Sequence, residues 1–553
     1  MIDPGVTNGD VPVENRRVYS EASTQETSEL TPEPRPELVI GLVGPVGTEL
    51  HQLARSIEER LSAFRYRSAY IRVSQLIQSW CEPELATVIT ASKGGDRIRH
   101  LMNAGDGLRR KAGKGDALVP LIVSAIRAAR SGLQKDGNGN ARMQANDVCY
   151  IIDSLKHPAE VKTLRGLYGD RFVLISAFDS EEARSTNLKN AIAKAHVSTE
   201  TEGFKEQADD LIKIDAKRPG ERFGQNVRET FPLGDFFVRV AEGYEAPLNR
   251  FLDVYFGSPY LTPLRSEYLM FEASAIALRS ADLSRQIGAV VIDRHGEIVS
   301  SGCNEVPTAG GGAYWPDDLK GLDNRDYRSG KDFNAVKKFD IVREFMDFLE
   351  EHGVMRLAGK DTVEDAVKEV LTGKLRDRFK DLRVSNLIEF GRVVHAEMSA
   401  LMRAAQRGIA VGGGEIYSTT FPCHMCARHI ISAGIVRVVY IEPYPKSMTA
   451  DLFPEIVSID AAPGPALLGG ECSPAGAKRN KVVSFEPFEG IAPPMFLSLF
   501  QASERKDRQG YIIDWNRAEA LPKIVGPAEA DLRLEQSVAL EVDVLPRLRQ
   551  QDV

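Results

Sequence analysis

Two short stretches of this chain carry residues able to hold a metal and move protons. His395-Ala396-Glu397 sits at the start of the apolar-periodic run VVHAEMSALMRAA, and Pro422-Cys423-His424-Met425-Cys426 heads CARHIISAGI. Residues 398–421 between them hold a helix's worth of sequence, a glycine break and the strand-like EIYSTTF. One helix start bearing His-x-Glu and a second bearing Cys-x-x-Cys would bring an imidazole and two thiols to one point. That is a three-ligand set for tetrahedral Zn2+, with the fourth position open to water. Glu397, two residues from His395, is placed to carry protons rather than to ligate. A structural zinc normally closes its shell with four protein ligands, and no second Cys pair is present to do so. His424 could serve as a fourth ligand, but its place inside the Cys-x-x-Cys loop favours an outward side chain.

These residues need a scaffold. RSEYLMFEASAIALRSADLSRQ (265–286) has a helical apolar stripe, and IGAVVIDRHGEIVSSGCNEV reads as a β-hairpin turning at Arg294-His295-Gly296. Helix, hairpin, HxE helix, strand, CxxC helix and the strand VRVVYIEPY predict a three-layer α/β/α unit with the metal carried on two helix starts. A charged helical insertion, 305–385, interrupts it. The insertion reads as a solvated excursion, or as a lid or subunit contact near the substrate mouth. EGIAPPMFLSLF is apolar enough to pack near the site, and no chemistry attaches to it.

Upstream, LVIGLVG runs into Gly44-Pro45-Val46-Gly47-Thr48-Glu49-Leu50 and then a helical run. Strand, glycine turn and helix make the layout of a phosphate-binding loop, so Gly44, Gly47 and Thr48 are candidate nucleotide contacts. The pattern is incomplete. Glu49, Leu50 and His51 stand where a second glycine, a lysine and a hydroxyl would be needed, which argues against efficient phosphoryl transfer. A tight turn with no ligand is the competing reading. DVCYIIDSLKHPAEV ends a strand at Asp153, a candidate metal or nucleotide contact or a simple helix cap. Alternating strands and helices predict a doubly wound parallel sheet. The expected units are a disordered tail over 1–36, a degenerate P-loop-like domain over 37–250, the zinc unit over 251–510 and an extension over 511–553 that packs at an edge or serves homo-oligomerisation.

At 553 residues, two or three domains are the prior. A net charge of −8 gives no general basic footprint, which counts against nucleic acid as the partner. Six cysteines do not make a disulfide framework in so long a chain, and no run of apolar residues reaches a membrane-spanning length. The expected compartment is a reducing cytoplasm, with no membrane partner.

The zinc motifs, SRQIGAVVID and GCNEVP resemble those of deoxycytidylate deaminases. Together with GLVGPVGTEL and IIDSLKHPAEV, the arrangement is similar to the bacterial anti-phage dCTP deaminases, a kinase-like domain joined to a cytidine-deaminase-like domain. The resemblance covers about residues 38–500. It implies His395, Cys423 and Cys426 as zinc ligands, Glu397 as proton shuttle, Asn304 at the sugar, and conversion of dCTP to dUTP. It also implies a regulatory nucleotide at the N-terminal domain. Ser399 stands where many relatives have Asn. The alternatives are a housekeeping dCMP deaminase and a nucleotide-sensing regulator whose zinc is non-catalytic.

Overall fold

The computed structural model describes residues 35–133, 147–216, 221, 223–241, 243–318, 321–357, 359, 362–379, 382–444, 447–459, 482–501, 503–524 and 537–538. The tail expected over 1–36 falls almost wholly outside the described residues.

Four largely apolar strands, β1 (Leu38–Val43), β3 (Val148–Asp153), β4 (Phe172–Phe178) and β5 (Phe236–Arg239), and the more polar edge strand β2 (Arg67–Arg72) form a parallel sheet in the order β2-β3-β1-β4-β5. Every residue of β1 and β4 is buried, as expected of strands covered by helices on both faces. The helix Leu50–Leu61 follows β1 and buries Leu53, Ala54, Ile57 and Leu61 against one face.

A second sheet is built from β6 (Gly288–Ile292), β7 (Ile298–Cys303), β8 (Glu415–Thr420), β9 (Arg437–Glu442), β10 (Val457–Ile459) and β11 (Val483–Pro487), in the order β10-β11-β9-β8-β6-β7. The hairpin strands run antiparallel, and β8, β9, β11 and β10 run parallel. The molecule is thus mixed α/β with two parallel-dominated sheets. The helix Arg265–Ala277 stops nine residues short of the stretch ending at Gln286, because Asn304 and Glu305 take over the backbone of 281–287.

The stretch EGIAPPMFLSLF does not pack at the metal site. Its Gly490–Ile491 is a two-residue strand, β12, paired antiparallel with β5 at the edge of the first sheet. The helix Pro493–Phe500 and Ala520 continue onto the same core as Ile40, Phe236 and Phe251. Ile491, Met495 and Leu499 join the core of the first sheet, while Phe496 stacks on Phe271 of the helix Arg265–Ala277 at 4.3 Å, so this stretch packs against both of the expected units. Phe237, Leu269, Met270, Val290, Tyr417 and Val439 form one apolar cluster between the sheets. Beside it, the fully buried Glu267 accepts from Arg250 (2.8 and 2.9 Å), the Leu264 N–H (2.7 Å) and the Ile491 N–H (2.9 Å). Among the described residues, no helix is long and apolar enough to cross a membrane.

Candidate metal centre and its cavity

His395 is the N-cap of the helix Ala396–Gln406, and Cys423 is the N-cap of the helix His424–Ser432. Both have extended backbone angles, and each offers its carbonyl to the first helical bond, His395 to Ser399 N–H and Cys423 to Ala427 N–H, at 2.8 Å each. Their side chains are free to meet in front of the two helices. His395 Nδ1 lies 3.2 Å from Cys423 Sγ and 3.4 Å from Cys426 Sγ, and all three donor atoms fall within 4.8 Å of one another. Hydrogen bonds from Cys426 and His395 hold the Cys423 thiol down at about 4, while the same sharing pushes Cys426 up. The bond to Cys423 raises His395 to about 9. Helix N-termini favour the anionic sulfur further. Two soft sulfurs and one imidazole, nearly dry and close enough to share one ion, fit Zn2+. His424 is not part of the cluster, and its Nδ1 is buried without a hydrogen-bond partner among the described residues.

Glu397, the second residue of its helix, is 4 % exposed, and burial pushes its carboxyl up. It shares a cavity of about 370 Å³ with His395, Cys423, Asn304, Phe421 and Tyr444. Asn304 is buried, but its amide is engaged with the backbone: Oδ1 accepts from Ile287 N–H (2.7 Å) and Nδ2 donates to Arg285 O (2.8 Å). It therefore shapes the wall at 285–287 and keeps a single amide hydrogen for anything else.

The insertion does more than sit in solvent. Glu305 and Val394 close its neck with two backbone bonds (3.2 and 3.0 Å), and Val342, Val363 and Val367 give it a small core of its own. Asp326, Asp332, Asn334 and Lys338 from this segment line the metal cavity, with Arg285 from the other side. No local pattern marks these residues, because long-range contacts bring them to the site: the neck bridge, Arg392 on Asp326 (3.1 Å) and Asn334 on Leu387 O (3.0 Å).

The N-terminal candidates gather elsewhere. Gly47 (φ +90°) turns the chain between β1 and its helix, where a Cβ would lie 2.5 Å from Arg184 O. Gly47, Thr48 and Asp153 line a second cavity of about 740 Å³, while Gly44 contributes only its carbonyl, to Lys156 Nζ (2.8 Å). Asp153 accepts from the Tyr70 hydroxyl.

Residues 264–442 match the family model described as the cytidine and deoxycytidylate deaminase zinc-binding region. That match covers about a third of the chain and includes all three residues of the His395, Cys423 and Cys426 cluster. The chain is 45% identical over 53 residues to ComE operon protein 2 of Bacillus subtilis (10% of this chain, 28% of that protein). It is 41% identical over 54 residues to the deoxycytidylate deaminase of Enterobacteria phage T2 (10% and 29%). The chain thus spans under a third of the length of these curated relatives. Among solved structures, the apo dCMP deaminase of the cyanophage S-TIM5 is 16% identical, with a TM-score of 0.20, covering 41% of this chain and 100% of that one. The family and the His395, Cys423 and Cys426 cluster together point to zinc.

Proposed function

We propose that the protein is a hydrolytic deaminase of a deoxycytidine nucleotide, acting on dCTP to give dUTP and ammonia. The observation that carries this reading is the buried Glu397 carboxyl in one cavity with His395 and Cys423, at the head of two helices. Zinc on His395, Cys423 and Cys426 would supply an electrophilic centre that acidifies water. Glu397 is placed to take one proton from a water at C4 and deliver it to ring N3 as the water oxygen bonds to C4. The carboxylate then takes the second proton from the new C4 hydroxyl and hands it to the amino group, so that the C4 carbonyl forms as the C4–N bond breaks and ammonia leaves. Burial raises the Glu397 carboxyl, which strengthens it as the base that takes the proton. Phe421 and Tyr444 offer apolar walls to a base, and the remaining Asn304 amide hydrogen is available to the sugar. Arg285 and Lys338 on the cavity wall suit phosphates.

The architecture, with its degenerate nucleotide-type domain, supports a role in depleting dCTP during phage infection, with the N-terminal domain restraining the deaminase until a nucleotide signal arrives. The second reading, a housekeeping dCMP deaminase, is favoured by the relatives named deoxycytidylate deaminases. Purified protein incubated with dCMP, dCTP, CTP and single-stranded DNA, with ammonia release followed, separates them. Turnover of dCTP is the expected result; turnover of dCMP alone, or an unchanged dCTP pool in infected cells, would establish the second reading instead.

A further inference from the structure

The cavity at the β1 turn shares no lining residue with the metal cavity, and its best anion position is already filled by the chain itself. The Val46 N–H, just ahead of the helix Leu50–Leu61, donates to Asp215 Oδ2 at 2.7 Å. Lys156 Nζ closes on Asp215 Oδ1 at 3.0 Å and on the Gly44 carbonyl at 2.8 Å. A backbone N–H, the positive end of a helix and a lysine are the groups that receive a phosphoryl oxygen. The lysine comes from beyond β3 rather than from the turn, whose position 50 is leucine.

Asp215 is an odd occupant. It is 1 % exposed, and it sits in the last turn of the helix Lys205–Ala216, where the helix dipole opposes negative charge. Two further groups at the same cavity lack partners. Gln225 is 7 % exposed, lines the cavity, and its Oε1 has no hydrogen-bond partner among the described residues. Thr48 Oγ1 is likewise buried and unpartnered. Native structures rarely leave such atoms unsatisfied, and a ligand is one ordinary reason when they do. Ile98, Leu101 and Met102 add an apolar wall against which a planar base can lie.

Resting on the nucleotide-signal reading above, we propose that Asp215 is a built-in stand-in for the phosphoryl group of the ligand in this cavity, holding the position closed until a phosphorylated ligand of the nucleotide class displaces it. Binding replaces the Asp215 carboxylate at Val46 and Lys156, frees the helix Lys205–Ala216 from the turn, and gives the Gln225 amide oxygen a donor from the base. The site binds and does not transfer phosphate.

Calorimetric titration of the full-length protein with inorganic phosphate and, separately, with ATP tests this. The wild type is expected to bind both weakly, because each must displace Asp215. Asp215→Ala is expected to bind both at least tenfold tighter, and Lys156→Met in that background to abolish the gain. Gln225→Leu should weaken ATP and leave inorganic phosphate unchanged, which separates a nucleotide site from a plain phosphate site. If Asp215→Ala unfolds, as thermal melting and zinc content would show, Asp215→Asn gives the same direction with a smaller gain. A folded Asp215 variant with no gain, or a wild type that already binds as tightly as the variant, would overturn the proposal. None of these readouts depends on deamination.

Discussion

Gly302 in β7 lies directly under the helix that begins with Ala396 and Glu397, and the fit there can be tested by one methyl group. A Cβ at Gly302 would stand 2.5 Å from Ala400 N, 2.6 Å from Ala396 O and 2.8 Å from Ser399 Cβ. Ordinary contact begins at 3.4 Å, and two of the three obstacles are helix backbone that cannot rotate away. Gly302→Ala must therefore lift the first turns of the helix by about 0.8–0.9 Å, because packed interiors hold no slack of that size. His395 and Glu397 ride on that turn. Ligand positions are tolerated to within about 0.2 Å, and a displacement near 1 Å in a reacting group costs up to about a hundredfold in rate. The expected outcome is a fall of about tenfold to a hundredfold in kcat/KM with weakened zinc retention, and about 1–3 kcal/mol of lost stability. Ammonia release, zinc content by plasma mass spectrometry and denaturant unfolding measure the three. Gly166→Ala is the control: it lies on the exposed face of the helix Pro158–Tyr168 with nothing within 4 Å of its Cβ, and should be neutral or slightly stabilising. Wild-type zinc content and a kcat/KM within about threefold in Gly302→Ala would refute the reasoning.

Glu397→Gln should keep zinc while kcat falls by about 10²–10⁴, whereas Cys423→Ala should lose metal and activity together; a zinc-free Glu397→Gln protein would contradict this division of roles. Glu267→Ala strands the Arg250 guanidinium and the Leu264 and Ile491 N–H groups, at a cost of about 3–5 kcal/mol read from the denaturant midpoint; an unmoved midpoint would show the junction to be independent of this carboxylate. In the metal-free protein His395 is raised to about 9, so it is protonated at neutral pH and its proton competes with zinc. Zinc uptake at pH 7 should therefore release protons, and apparent affinity should climb as pH rises toward that value; a zinc titration in a pH-indicator dye checks this, and an affinity flat between pH 6 and 9 would contradict it.

The metal centre was legible because its ligands are set by short-range rules. Two helix starts, each with a ligand at the cap, can be read from spacing, and the structure brings His395, Cys423 and Cys426 together. In the first sheet β1, β3 and β4 announce themselves as apolar runs, whereas the edge strand β2, RSAYIR, does not. What spacing cannot carry is pairing at a distance. Asp215 reaches Val46 across 169 positions, and nothing in KIDAKR marks that aspartate. The resemblance puts Asn304 at the sugar, and no spacing shows that its amide also binds Arg285 O and Ile287 N–H. The insertion shows its charge and helicity in sequence, but distant pairings such as Glu305 with Val394 and Arg392 with Asp326 place it on the cavity wall.

The short strand β12 sets an order of events during synthesis. β5 leaves the ribosome about 250 residues ahead of Gly490–Ile491, an interval of roughly 12–50 s at the usual pace of about 5–20 residues per second. Through that interval the first sheet has an open edge at Phe236 and Phe237, two aromatic residues of the kind that recruit foreign strands. The edge is closed only when the whole deaminase-type unit has emerged and its far end has come back. A chain cut short anywhere in the second unit leaves an unfinished first unit as well, so a truncated product is expected to aggregate rather than persist as a free N-terminal domain.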